Sequence, residues 1–170
     1  MSGKKTRILF TFTVVVICIS FDQVSKCIVR DSIAPDRRIS VIENVVTMTR
    51  VENTGAFMSM GYRLPRTVYR ILMIVFPLAI IAYALYFILR NYSLPLALWL
   101  GIILIVGGGF GNLIDRVLYG SVTDFLQFNF GIFRTGIVNL ADMLITSGFI
   151  ILVVKMLFLH FNDTKKKIVQ

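Results

Sequence analysis

Residues 107–142 read GGGFGNLIDRVLYGSVTDFLQFNFGIFRTGIVNLAD and lie between two long apolar runs. Asn112, Asp115, Arg116, Asp124, Asn139 and Asp142 stand where a lipid-embedded chain should least tolerate polar side chains. A polar group in hydrocarbon is costly unless it is paired, so ionisable residues at the edge of a membrane span are functional candidates by default. The stretch predicts the end of one span, a short loop over 119–136 and the start of another span. It singles out Asp124 and Asp142 as a catalytic pair at the membrane surface.

Working outward, residues 95–118 form a span before the loop, and residues 137–160 (IVNLADMLITSGFIILVVKMLFLH) form one after it. The four residues 91–94 are a tight turn, so residues 67–90 (TVYRILMIVFPLAIIAYALYFILR) make an antiparallel neighbour, bent at Pro77. A basic head (MSGKKTR) precedes a further apolar run over 8–29. That run could be a secretory signal peptide, but no small-x-small cleavage site follows it and it continues through Asp22, Gln23 and Lys26. An uncleaved first span is expected. Residues 30–66 are different in kind: RRISVIENVVTMTRVENTGAFMSM alternates apolar and polar residues and is rich in Val, Ile and Thr, which favours short strands. Gly55 and Gly61 punctuate it. The expected fold is an all-α polytopic membrane protein, a single integral membrane domain over 1–170, with four transmembrane helices and a small extracytoplasmic β-rich cradle over 30–66.

Composition agrees. The chain has 170 residues, 56% hydrophobic and 16% charged, with mean hydropathy +0.80. Soluble domains carry about a quarter charged residues. Net charge is +9, from 18 Lys and Arg against 9 Asp and Glu. These cations flank the spans and are not gathered into a basic face with interleaved aromatics, so membrane lipid is the expected partner and nucleic acid is not. Cys18 and Cys27 are on the order of 13 Å apart along a helix, too far to bridge. There is no CxxC motif, and His160 is the only histidine. No metal, cofactor or His-based nucleophile is expected.

Four spans put both termini on one side. Asp22, Lys26, the 30–66 segment, Asn112, Asp115, Arg116, Asp124, Asn139 and Asp142 then all fall toward the opposite face. Such one-sided polarity suits an active site at one bilayer surface and not a pore. Charge does not settle orientation: Lys4, Lys5, Arg7, Arg90, Lys155 and Lys165–Lys167 oppose Arg30, Arg37, Arg38, Arg50, Arg63, Arg66 and Arg134.

Several residues admit a plainer reading. Asp22 and Lys26 are i,i+4 with the acid first, a favourable helical ion pair that could simply end a span. Gly108, Asn112, Asp115 and Arg116 recur at spacings of three and four, and the glycines 107, 108, 109 and 111 allow close approach. That pattern also fits a packing seam with Asp115 and Arg116 at the headgroups. Asp142, i,i+3 from Asn139, could serve only the helix N-terminus, and Asp124 could be a loop aspartate. If the two meet at a half-buried site, both cannot ionise easily. One then holds a proton while the other acts as base toward water, a coupled pair suited to amide hydrolysis.

Taken together, DQVSK (22–26), ENTGAF (52–57), GGGFGNLIDR (107–116), GSVTDF (120–125) and NLAD (139–142) closely resemble the bacterial lipoprotein signal peptidase (signal peptidase II) family. The match covers essentially the whole chain. The resemblance implies a metal-free aspartic endopeptidase of the inner membrane. It would cut prolipoproteins just before a cysteine carrying diacylglycerol and be inhibited by globomycin-type peptides. It implies that Asp124 and Asp142 are the catalytic dyad, that Asn53, Gly55, Asn112, Arg116 and Asn139 line the site or its hydrogen-bond network, and that Asp22 and Lys26 brace it. It also implies a monomer with cytoplasmic termini and a periplasmic active site under the 30–66 cradle. Thr123, where a second valine is common, Val138, where an aromatic is frequent, and Met58 after Phe57 depart from the pattern. They bear on pocket shape.

Rival readings make different demands. A transporter or proton relay needs carboxylates at mid-membrane depth. A magnesium-dependent head-group transferase needs Asp115, Asp124 and Asp142 as joint ligands, and spacings of nine and eighteen residues do not suit it. A Ser25–Lys26 peptidase fails because adjacent helical residues do not face each other.

Overall fold

The computed structural model describes residues 2–35, 37–55 and 65–168. Ala56, Phe57, Met58 and Gly61, named in the sequence reading, lie outside the described residues. Among the described residues, four helical segments are long and apolar enough to cross a membrane: Lys4–Ser32, Arg66–Arg90, Leu96–Tyr119 and Leu140–Phe161. The first belongs to α1 (Ser2–Ser32), whose 31 residues span about 46 Å, so it runs well past the expected 8–29. The second is made of α2 (Arg66–Arg70), a π-helical turn (Ile71–Val75) and α3 (Phe76–Arg90). Pro77 has no N–H to offer the carbonyl one turn back, and the wider turn before it absorbs that gap. The last two are α4 (Leu96–Tyr119) and α5 (Leu140–Ile168).

α4 is the hub, packing against α1, α3 and α5. Its outer neighbours show lipid-facing residues such as Phe21, Ile28, Tyr83 and Phe149, while Ile103, Val106 and Trp99 are buried. Glycines make the close packing possible. A Cβ at Gly108 would collide with the Ala141 carbonyl oxygen, and one at Gly111 with the Asp22 carboxylate. The expected packing seam is real, and it also gives the carboxylates their places. Gly108→Ala should therefore lower stability by about 1–3 kcal/mol, because backbone cannot step aside as a side-chain tip can. Thermal unfolding in detergent, followed by circular dichroism, measures it.

A three-stranded antiparallel sheet in the order β1-β2-β3 covers one end of the bundle. β1 (Arg38–Ile42) and β2 (Val46–Asn53) come from the segment expected to be β-rich. β3 (Val122–Phe128) does not. The 119–136 stretch had been read as a loop, but Asp124 stands on a strand paired with Val51. The first four residues of β3 are all buried, so its sequence lacks the alternation that marks a one-sided strand. Gly120 connects α4 to β3: at φ +73° it caps the helix in the left-handed region, donating its N–H to Arg116 O. The fourth span begins at Leu140, later than the expected 137, because Val138 is still extended and pairs with Leu126.

Candidate active site

Asp124 on β3 and Asp142 in the first turn of α5 meet around Asn139. The Asn139 side-chain amide donates to Asp124 Oδ1 at 2.6 Å. Its oxygen accepts the Asp142 backbone N–H at 2.9 Å, while Asp142 Oδ2 accepts the Asn139 N–H at 3.3 Å. This reciprocal pair has capping-box geometry, and it explains locally why the helix starts there. Asp142 thus does serve a helix N-terminus, as the plainer reading held, and it also faces the other carboxylate.

Two further asparagines complete the ring. Asn53, the last residue of β2, donates from Nδ2 to Asp124 Oδ2 at 3.0 Å and accepts the Gly55 N–H at 3.0 Å. Asn112 on α4 donates to Asp142 Oδ1 at 2.8 Å and accepts from Lys26 Nζ at 2.9 Å. Each amide has its oxygen held by a donor, so its NH₂ is turned toward a carboxylate. All four carboxylate oxygens receive an N–H.

Beneath this ring lies an ionic layer. Lys26 is fully buried and bridges Asp22 at 2.8 Å and Asp115 at 3.2 Å. Asp22 also accepts the Ala141 N–H at 2.9 Å, so α1 caps the helix that carries Asp142. The Asp22–Lys26 pair is a buried brace and not an interfacial end to the span. Asp115 is fully buried, ion-paired with Arg30 at 2.9 Å and accepting the Thr123 N–H at 3.1 Å. The sequence marked it as a polar residue at a span end, three from Asn112, but not among the residues expected to line or brace the site. Arg116 points elsewhere, donating from Nη2 to Gly55 O at 3.3 Å. Arg30, Glu52 and Ser121 were also missed. Thr123, fully buried, accepts from Arg30 Nε at 2.8 Å and bonds Glu52 at 3.2 Å. Its hydroxyl therefore ties α1 to the sheet.

Burial pushes the Asp124 carboxyl up to about 6. The Asn53 donor pulls against that, the negative charge of Asp142 adds to it, and Asn139 and Lys26 oppose it more weakly. A cavity of about 370 Å³ opens beside Asp142, lined by Val138, Met143, Ile145, Thr146 and Ser147. Among the described residues, no three His, Cys, Asp or Glu side chains are grouped to share a metal ion. The donor set is that of an acid–base pair held by amides, with apolar room next to it.

Residues 14–158 match the sequence model of the family described as Signal peptidase (SPase) II. A lipoprotein signal peptidase of Clostridioides difficile (strain 630) is 36% identical over 145 residues, covering 85% of this chain and 93% of that protein. One of Streptococcus thermophilus (strain CNRZ 1066) is 34% identical over 135 residues, covering 79% and 84%. A bacterial membrane enzyme solved by the in meso method at 2.3 Å resolution superposes with TM-score 0.79 and 28% identity, over 93% of this chain and 91% of that one.

Proposed function

The chain belongs to the signal peptidase II family of aspartic peptidases, and from that premise we propose that Asp124 and Asp142 are its catalytic dyad. It removes signal peptides from prolipoproteins, cutting just before the diacylglyceryl-modified cysteine. The observation that carries the assignment is Asn139, whose amide and backbone N–H join the two carboxylates. Asp124, with its raised affinity for a proton, holds the acid; Asp142 takes the proton from the attacking water. A tetrahedral intermediate forms at the scissile carbonyl. Asp124 then gives its proton to the departing cysteine nitrogen, and the C–N bond breaks. Asn53, Asn112 and Asn139 hold both carboxylates in place, while Arg116 beside Gly55 faces the incoming peptide. The apolar cavity by Asp142 suits acyl chains at the bilayer surface. On this reading the chain lies in the inner membrane as a monomer, with cytoplasmic termini and the dyad and sheet on the periplasmic side. Globomycin-type peptides compete for the same site.

The test is cleavage of a diacylglyceryl prolipoprotein peptide by the full chain in detergent, with products identified by mass spectrometry. A new N-terminus at the lipidated cysteine, unaffected by EDTA, supports the reading. A cut elsewhere, or loss of activity with EDTA, overturns it. The pH profile adds a sign. In the free enzyme the active dyad loses its proton as pH rises through about 6, so kcat/KM falls along an alkaline limb belonging to the pair. Asn53 donates to the ionised form of Asp124. Asn53→Ala therefore favours the protonated form and moves that limb to higher pH; a shift to lower pH would remove Asp124 as the acid.

A further inference from the structure

At the end of the bundle far from the carboxylates, α1 is pinned to the turn between α3 and α4. The Arg7 guanidinium donates to the Tyr92 carbonyl and, at 2.6 Å, to the Leu94 carbonyl. It lies 5.4 Å over the Trp99 ring. Trp99 stacks on Phe10 at 5.5 Å and donates from Nε1 to Thr11 Oγ1 at 3.1 Å. A cavity of about 380 Å³, lined by Thr6, Arg7, Phe10, Leu96 and Trp99, opens here to the side of the bundle. That volume lies within the roughly 300–1,000 Å³ of small-ligand sites. Lys4 Nζ is 5.2 Å over the neighbouring Tyr92 ring.

We infer that this cavity binds one anionic phospholipid, its phosphate on Arg7 and Lys4 and an acyl chain along Phe10 and Leu96. The lining pairs an apolar wall with a cation at its rim, and Phe10 and Leu96 are more than half exposed. Of the nine acids, Asp163 alone belongs to the chain segments at this end, against Lys4, Lys5, Arg7, Arg90 and Lys165–Lys167. Arg7 is a planar fork with five donors, two of which hold the turn carbonyls; phosphate oxygens suit the others. A zwitterionic lipid offers the same phosphate with a cation beside it, and these basic groups repel that cation. The site is independent of the dyad and of the reaction proposed for it.

Trp99 is the only tryptophan, so the site carries its own reporter. The full chain is placed in micelles or nanodiscs containing brominated phosphatidylglycerol or brominated phosphatidylcholine at equal mole fraction, and Trp99 quenching is compared. A near-surface cation favours an anionic headgroup by about fivefold, so phosphatidylglycerol should quench at several-fold lower mole fraction. Unbrominated phosphatidylglycerol, and not inorganic phosphate, should reverse it. Lys4→Gln and Arg7→Gln should each reduce the preference, while Arg38→Gln on the opposite face should not. If Arg7→Gln releases the turn and fails to fold, the Lys4→Gln arm decides alone. Equal quenching by both lipids, reversal by phosphate, or equal loss in Lys4→Gln and Arg38→Gln would overturn the site in favour of general charge attraction.

Discussion

Asp124→Asn and Asp142→Asn should each lower prolipoprotein cleavage by about 10²–10⁴-fold, the scale of a lost general acid or base, with the fold intact. An amide at either position keeps the shape of the side chain but neither holds nor takes the proton. The double variant should be little worse than either single one, because groups acting as a unit are not additive. Stability should hardly change. Asp124 is only 4% exposed, so neutralising it removes the cost of a buried charge while one of its two amide contacts is lost. Cleavage assays alongside thermal unfolding separate the two effects. Near-normal turnover in either variant would sink the dyad assignment.

Lys26→Met should be the most destabilising single change in the chain, by about 3–5 kcal/mol, the usual cost of removing one partner from a buried ion pair. Methionine fills much of the space but leaves Asp22 without its cation and Asp115 with Arg30 alone. Adding Asp22→Asn should recover part of the loss, because the Asn oxygen can still accept the Ala141 N–H that caps α5. Turnover should fall as well, and by a different route. Without Lys26 Nζ the Asn112 oxygen is no longer held, and its NH₂ need not face Asp142. Circular dichroism melts of the two variants and the wild type provide the comparison. A double variant no more stable than Lys26→Met would mean that packing, not charge, dominates.

The spans were legible because lipid demands long apolar runs; α1 runs past both of its expected ends, and α5 starts late because Val138 is extended and pairs with Leu126. The Asp22–Lys26 pair could be read from its i,i+4 spacing. Its third and fourth partners, Asp115 and Asn112, come from α4 and could not be. β3 was hidden because Val122–Phe125 is covered on both faces, so polar and apolar residues do not alternate there. Thr123 was visible only as a departure from a family pattern; its hydroxyl sits between Arg30 and Glu52, partners 93 and 71 residues away along the chain. Asn112 and Asn139 stood out in the sequence by their place at the span ends, and Asn53 only through the family resemblance. Their common polarity, oxygen held and nitrogen offered, follows from donors distant in sequence.

The ring of donors draws on β2, α4 and the start of α5, and this has a consequence for biogenesis. While the chain is being made, Asp124 emerges before Asp142 and before the Asn139 amide that joins them. A nascent or truncated chain that lacks its fourth helix carries half of the proposed dyad and leaves Asp22 without the Ala141 N–H. With Asp124 and Asp142 as the proposed dyad, peptidase activity is thereby confined to chains whose fourth helix has inserted.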